Sequence, residues 1–392
     1  MLSFQEFKKS MSVEEAKSEA EKKELEVATG SSVKSYRNHG SLQLMKLRKN
    51  GCIKEPEVKE DAKLEPSSCP DFTYGWSLYR CFSKYLLSEA EMKENGFPMP
   101  IPGKPNCAFV EKSARKYSKE QPNKPSIRIC ANCSEEFEID KDGVPLLEDN
   151  CFYHWGKLRK VREMGQWTEK FTCCDGFGDS APCESSIYHV WSGRNEDCMD
   201  GFIETSKLPC YMAECDAGIY ALDCEMCYTT KGLELARLTV IDLNEDVVFD
   251  QVVSLSSPVL SYCTRFSGID ERKIREATYT FDDVRAWVLE HFFDKTILIG
   301  HSLENDLKAL KLLHKTVIDT SVTFPHKFGP PNRMSLKHLA SSLLKINIQE
   351  DVGGHDSKED AVTCLRLMKM KIKEDSKVRK PRIIIGYVGR KR

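Results

Sequence analysis

Side chains over 218–226 alternate in character: Leu222, Cys224 and Met226 fall on one face of a predicted strand, and Asp223 and Glu225 on the other. The alternation resumes over 235–243 and 247–255, giving two more strands across the polar turn Asn244, Glu245 and Asp246. That makes an antiparallel three-stranded start. The period then changes. An amphipathic helix is predicted over 282–293, an apolar strand over 296–300, and a helix whose stripe is Leu303, Leu307, Leu310 and Leu313. A short strand over 317–320 and helices over 335–344 and 357–372 complete the series. Strands alternating with helices add parallel neighbours, so the expected class is α/β, a mixed sheet flanked by helices.

Upstream the pattern is weaker. Residues 1–66 are rich in Lys, Glu and Ser with hardly any aromatic side chain, which predicts disorder and at most a transient helix over 13–27. Tyr79, Phe82 and Leu86 then fall at helical spacing, and Ser88 with Glu91 predicts a capping box opening a second helix that stops at Gly96. Pro98, Pro100, Pro102 and Pro105 predict an extended linker, with the helices before it packed on the domain that follows. The expected divisions are 1–66, a helical and Pro-rich segment 67–125, a Cys/His domain 126–216, a catalytic domain 217–373 and a basic tail 374–392.

The acidic residues change this picture from architecture to chemistry. Asp223 and Glu225 point the same way, and like charges side by side raise one partner's pKa unless a cation lies between them. Asp306 falls on the Leu303–Leu310 stripe, where an unpaired carboxylate is costly to bury. Asp360 shares a helical face with Cys364 and Leu367, and Ser357 with Asp360 reads as a second capping box. His301 and His355 each stand five residues before one of these acids. Taken singly, each has a bland reading as a solvated strand edge, a cap or an ion-pair partner. Their order and shared inward direction point instead to carboxylates bridging two hard divalent ions.

Three runs carry a resemblance: Ala-Leu-Asp223-Cys-Glu225-Met, Gly300-His-Ser-Leu-Glu-Asn-Asp306-Leu and Gly354-His355-Asp-Ser-Lys-Glu-Asp360-Ala. They resemble the three motifs of the DEDDh exonucleases. With Tyr262-Cys-Thr-Arg-Phe-Ser-Gly-Ile269 between the first two, they resemble the Rex-type RNA exonucleases of the animal RNA exonuclease one and GOR antigen group. The resemblance implies an RNase H-like sheet and 3′-to-5′ hydrolysis of RNA from a free 3′ end. It implies that Asp223, Glu225 and Asp360 hold one Mg²⁺ or Mn²⁺, that Asp223 reaches a second, and that Asp306 completes the set directly or through water. His355 would be the general base, its five-residue gap to Asp360 being that of the histidine subclass. Arg265 and Phe266 would meet the terminal nucleotides, core packing being the other reading of Phe266. Asp319 lies in a shared motif without an assigned role.

The chain has 17 cysteines and a formal net charge of only −2, so a global basic field is excluded as the source of nucleic-acid attraction. No secretory signal and no membrane-spanning apolar run is found, which predicts reducing surroundings and cysteines that are ligands or buried free thiols. The basic tail and the resemblance together predict the nucleus, and a monomer is assumed. Cys130, Cys133, Cys151, His154, Cys173, Cys174, Cys183 and His189 supply eight ligands, enough for two closed, structural Zn²⁺ sites. Cys130 with Cys133 and Cys151 with His154 have the spacing of ligand pairs, while adjacent Cys173 and Cys174 are expected to be divided between the ions. Just beyond, Lys157, Arg159, Lys160 and Arg162 lie near Tyr153, Trp155 and Trp167, a mixture suited to RNA although it equally fits a solvated face. Two rival functions stand beside the exoribonuclease: a 3′-to-5′ DNA exonuclease, since metal chemistry does not sense the sugar, and an inactive RNA- or protein-binding scaffold.

Overall fold

The computed structural model describes residues 76–378 apart from 116–120, 123, 149, 194–195, 331 and 351–353. The expected disorder of 1–66, the helix over 13–27 and most of the basic tail lie outside the described residues. The fold is mixed α/β. Its main sheet has strands β1 (Ile219–Thr229), β2 (Gly232–Ile241), β3 (Val247–Val252), β4 (Val259–Ser261), β5 (Ile297–Gly300) and β6 (Val317–Asp319). The order is β3-β2-β1-β5-β6, with β4 pairing the far end of β1. The first three strands run antiparallel, and β5 and β6 join β1 in parallel.

Each face of the sheet buries its own set of apolar side chains. Leu222 and Cys224 of β1 pack with Leu303, Leu307 and Leu310, the stripe of helix α1 (Glu304–Ala309). Ile219 and Ala221 pack on the other face with Ala361, Cys364, Leu365 and Met368 of α2 (Ser357–Val378). Fully burying each such aliphatic chain stabilises the fold by roughly 1.5–3 kcal/mol, which is why a helix covers both faces.

The polar turn between β2 and β3 is built by Asp242, whose carboxylate accepts from Asn244 N at 2.8 Å and Asp246 N at 3.0 Å. Two expectations need correction. Ser357 is not a cap, because α2 starts on it: Asp356 Oδ1 accepts from Lys358 N at 3.1 Å, and the Ser357 hydroxyl bonds Thr239 at 2.7 Å. Nor is the Pro-rich segment only a linker, since Met99–Pro100 pairs with Ala108–Phe109 and Cys107–Ala108 with Met199–Asp200. Pro100 is tolerated because it sits at the end of an edge strand.

The two helices before that segment are Trp76–Ser83 and Glu89–Glu94, the latter with the Ser88/Glu91 capping box formed. Leu78, Tyr79 and Phe82 join the core under α2, and Leu87, Met92 and Phe97 the core under α1. Among the described residues, no helix is long and apolar enough to cross a membrane.

Candidate active site

Parallel pairing of β1 with β5 stops at Ala221, and pairing with β4 begins only at Tyr228. Between them one edge of β1 is open. Asp306 occupies it: its Oδ1 accepts the Cys224 N–H at 2.8 Å, taking the place of the missing strand, and its charge acts on Asp223 and Glu225. Asp360 arrives from α2 on the opposite face. A register shift in the β1–β2 ladder falls at Glu225/Met226, and bulges of this kind re-aim side chains at functional sites.

Glu225, Asp306 and Asp360 are buried and Asp223 is half-buried, and the charges of Asp306 and Asp360 act on both strand acids. Burial, then the charges of Asp306, Asp360 and Glu225, raise Asp223 well above the usual carboxylate range. Burial followed by Asp360 pushes Glu225 up to about 9, and burial pushes Asp306 up to about 8 and Asp360 up to about 7. Without cations such a group stays partly protonated at neutral pH. Arg237 offsets the charge on Asp223 and Glu225, standing directly across the ladder from Glu225 while also held by Asp250 at 2.8 Å. An all-oxygen, strongly anionic donor set fits hard divalent ions.

His355 stands at the rim, half-buried, with Nδ1 3.8 Å from Asp360 Oδ2. Burial, then Lys337, lowers its pKa, favouring the neutral imidazole that can accept a proton. Its backbone is tied to the helical turn Thr264–Ser267 rather than to its own helix, His355 N donating to Phe266 O at 2.9 Å. The Phe266 ring meets the imidazole edge-on at 6.0 Å.

Three positioning residues were not assigned from sequence. Asp319, fully buried, accepts from Ser302 N and Leu303 N at 3.0 Å and from Ser321 N at 2.8 Å, fixing the turn that launches the Asp306 helix. Gln349 donates to both oxygens of Asp360, at 3.1 and 2.9 Å. Arg237 faces Glu225. Its register could be counted from the β1–β2 hairpin, whereas nothing in the spacing marks Gln349.

The eight Cys/His residues form two separate groups, each with ligand atoms within 4.8 Å of one another: Cys130, Cys133, Cys151 and His189, and His154, Cys173, Cys174 and Cys183. Cys133 Sγ lies 3.2 Å from His189 Nδ1. Cys151 and His154 are therefore split. Cys151 starts a strand, Cys151–Tyr153, and residues three apart along an extended chain face opposite ways. Cys173 and Cys174, expected to be divided, stay together, at 3.6 and 3.5 Å from His154 Nδ1. The tight turn at 171–175, with Asp175 at φ 54°, wraps both thiols around one point. Sulfur and imidazole in fours fit closed tetrahedral zinc sites.

Comparison with known proteins bears on both regions. Residues 128–187 match the family described as the RNA exonuclease 3 middle domain. The human RNA exonuclease 1 homolog is 42% identical over 306 residues, 78% of this chain and 25% of the human protein. The chain is a relative of the Rex-type RNA exonucleases. Exonuclease GOR of Pan troglodytes is 41% identical over 80% of this chain and 45% of its own length, and RNA exonuclease 3 of Schizosaccharomyces pombe 41% identical over 64% and 45%. The chain thus spans from a quarter to just under half of these Rex-type relatives. Among solved structures, the catalytic unit of Neurospora crassa Pan2 (protease and nuclease domain) matches 45% of this chain and 30% of its own, at 24% identity and a TM-score of 0.38. That superposition is too loose to bear on function.

Proposed function

We propose that this chain is a 3′-to-5′ exoribonuclease of the DEDDh type that removes nucleotides from RNA 3′ ends. The observation that carries the reading is the quartet of Asp223, Glu225, Asp306 and Asp360, every member raised by burial and Asp223 and Glu225 also by the charges of Asp306 and Asp360, with a histidine of lowered pKa at its rim. Such a group is expensive to keep in a fold unless cations are drawn to it. Kinship with RNA exonucleases over most of the chain supports RNA as substrate. It also disfavours the DNA exonuclease and the inactive scaffold, the latter because all five site residues are intact.

Asp223, Glu225 and Asp360 would hold one Mg²⁺ or Mn²⁺, and Asp223 with Asp306 would reach a second. Bound there, the ions neutralise charge on the attacking and leaving oxygens. The chain does the rest. Asp319 and Cys224 N–H fix Asp306, Gln349 orients Asp360, and the Phe266 carbonyl holds the backbone of His355 where its imidazole can take a proton from the attacking water. The two Cys/His groups would bind structural Zn²⁺, with no position left for chemistry. The nucleus remains the proposed location.

The test is release of mononucleotides from a 3′-labelled single-stranded RNA and from DNA of the same sequence, in Mg²⁺. RNA should be degraded in preference, and Asp223→Ala should reduce the rate by about 10³-fold or more. Equal rates on DNA would favour the rival enzyme, and undiminished activity in the variant would remove the site.

A further inference from the structure

Between the Cys/His segment and the Thr264–Ser267 turn lies a cleft of about 470 Å³, within the size range of ligand sites. Tyr153, Trp155, Glu184 and Ser185 form one wall, Arg265 and Phe266 the other. Burial has not claimed its aromatic rings: Trp155 is 37% exposed and Phe266 41%. The two rings meet edge to face at 5.5 Å, and the Arg265 guanidinium lies 5.3 Å over the indole. Arg265 is held across the cleft by Glu184 at 2.7 Å, a pair exposed enough to exchange one anion for another.

Position adds to composition. Phe266 also touches the His355 ring, so the cleft opens one aromatic ring away from the proposed base. On its other side the chain runs into the hairpin Leu158–Glu163/Gln166–Phe171, whose exposed Arg162 stands opposite Trp167, 69% exposed. Rings that stack bases, beside guanidiniums that meet phosphates, are what an unpaired RNA strand requires.

We propose that this cleft holds the nucleotides just upstream of the scissile bond of single-stranded RNA, with Trp155 as a stacking surface and Arg265 trading Glu184 for a backbone phosphate. The inference rests on the exoribonuclease reading and deepens it: the Cys/His segment becomes the outer wall of the substrate path and not merely a structural appendage. Bases must be splayed from their partners to stack there, so duplex ends are excluded.

Fluorescence anisotropy with a labelled decameric oligoadenylate tests this, with Ca²⁺ replacing Mg²⁺ to keep the strand intact. Trp155→Ala should raise Kd roughly ten-fold and shrink the advantage of the decamer over a trimer, with Trp155→Phe restoring most of the loss. Ser185→Trp, filling the cleft from its own wall, should weaken the decamer similarly and decides the matter should Trp155→Ala fail to fold. Decamer affinity within two-fold of wild type in the folded variants would overturn the proposal. A wild type that binds RNA through Trp155 yet releases no mononucleotide in Mg²⁺ would sink the exoribonuclease reading alone.

Discussion

Gly354 decides where His355 stands. At φ +110° it occupies backbone space that other residues rarely adopt, and a Cβ there would meet Thr264 O and Gly268 N at 2.4 Å. The backbone at Gly354 is therefore pressed against the 264–268 turn, which is what lets His355 N reach the Phe266 carbonyl. Gly354→Ala should leave the sheet folded but displace the imidazole. A shift of about 1 Å in a catalytic group costs on the order of 10²-fold in turnover, readable as the kcat for mononucleotide release. Wild-type kcat in that variant would show that His355 does not depend on this seat. The residue-scale chemistry was legible in part. Asp223, Glu225 and Asp360 announce themselves by spacing, and Asp306 by standing on an apolar stripe. The contacts of Gln349 and Asp319 were hidden because they join segments whose approach is set by the tertiary fold.

At the scale of elements, β1 carries the argument. Its alternation was readable because one face must be apolar to pack under α1, and the period of α1 and α2 because each buries a stripe. What the pattern could not show is where β5 parts from β1, since strand pairing leaves no trace in a single strand's sequence. The same holds for the Cys/His pairing, where spacing suggested Cys151 with His154 and strand geometry separates them. A further element-scale contact is His314, beside β6. It is buried, donates from Nε2 to Thr296 O at 2.7 Å and bonds Thr205 through Nδ1 at 3.0 Å. Burial pushes its pKa down to about 4, below the ordinary 6.5. A depressed histidine favours the fold above its unfolded pKa and loses that contribution as pH falls from about 6.5 towards 4, some 3 kcal/mol in order of magnitude. Urea unfolding at pH 7 and pH 5 should therefore show wild type losing more stability on acidification than His314→Gln. Equal losses would contradict it.

Across the whole molecule, the Cys/His segment and the catalytic sheet share a boundary made by Trp155 against Phe266 and Glu184 against Arg265. Each Cys/His group has four protein ligands, so zinc there would stabilise structure directly. Removing it with a chelator and then restoring Mg²⁺ should lower Tm and leave RNA cleavage impaired, because the turn that seats His355 loses its outer support. Full recovery of activity in a zinc-free chain would uncouple the two regions. The central claim is that four acids from β1, α1 and α2 form one cation site. Counting Mn²⁺ by electron paramagnetic resonance at neutral pH, with the Cys/His groups loaded with zinc, tests it most directly. Wild type should bind two ions and Asp223→Asn should lose them; a wild type that binds none, or a variant that binds as many, would contradict the account.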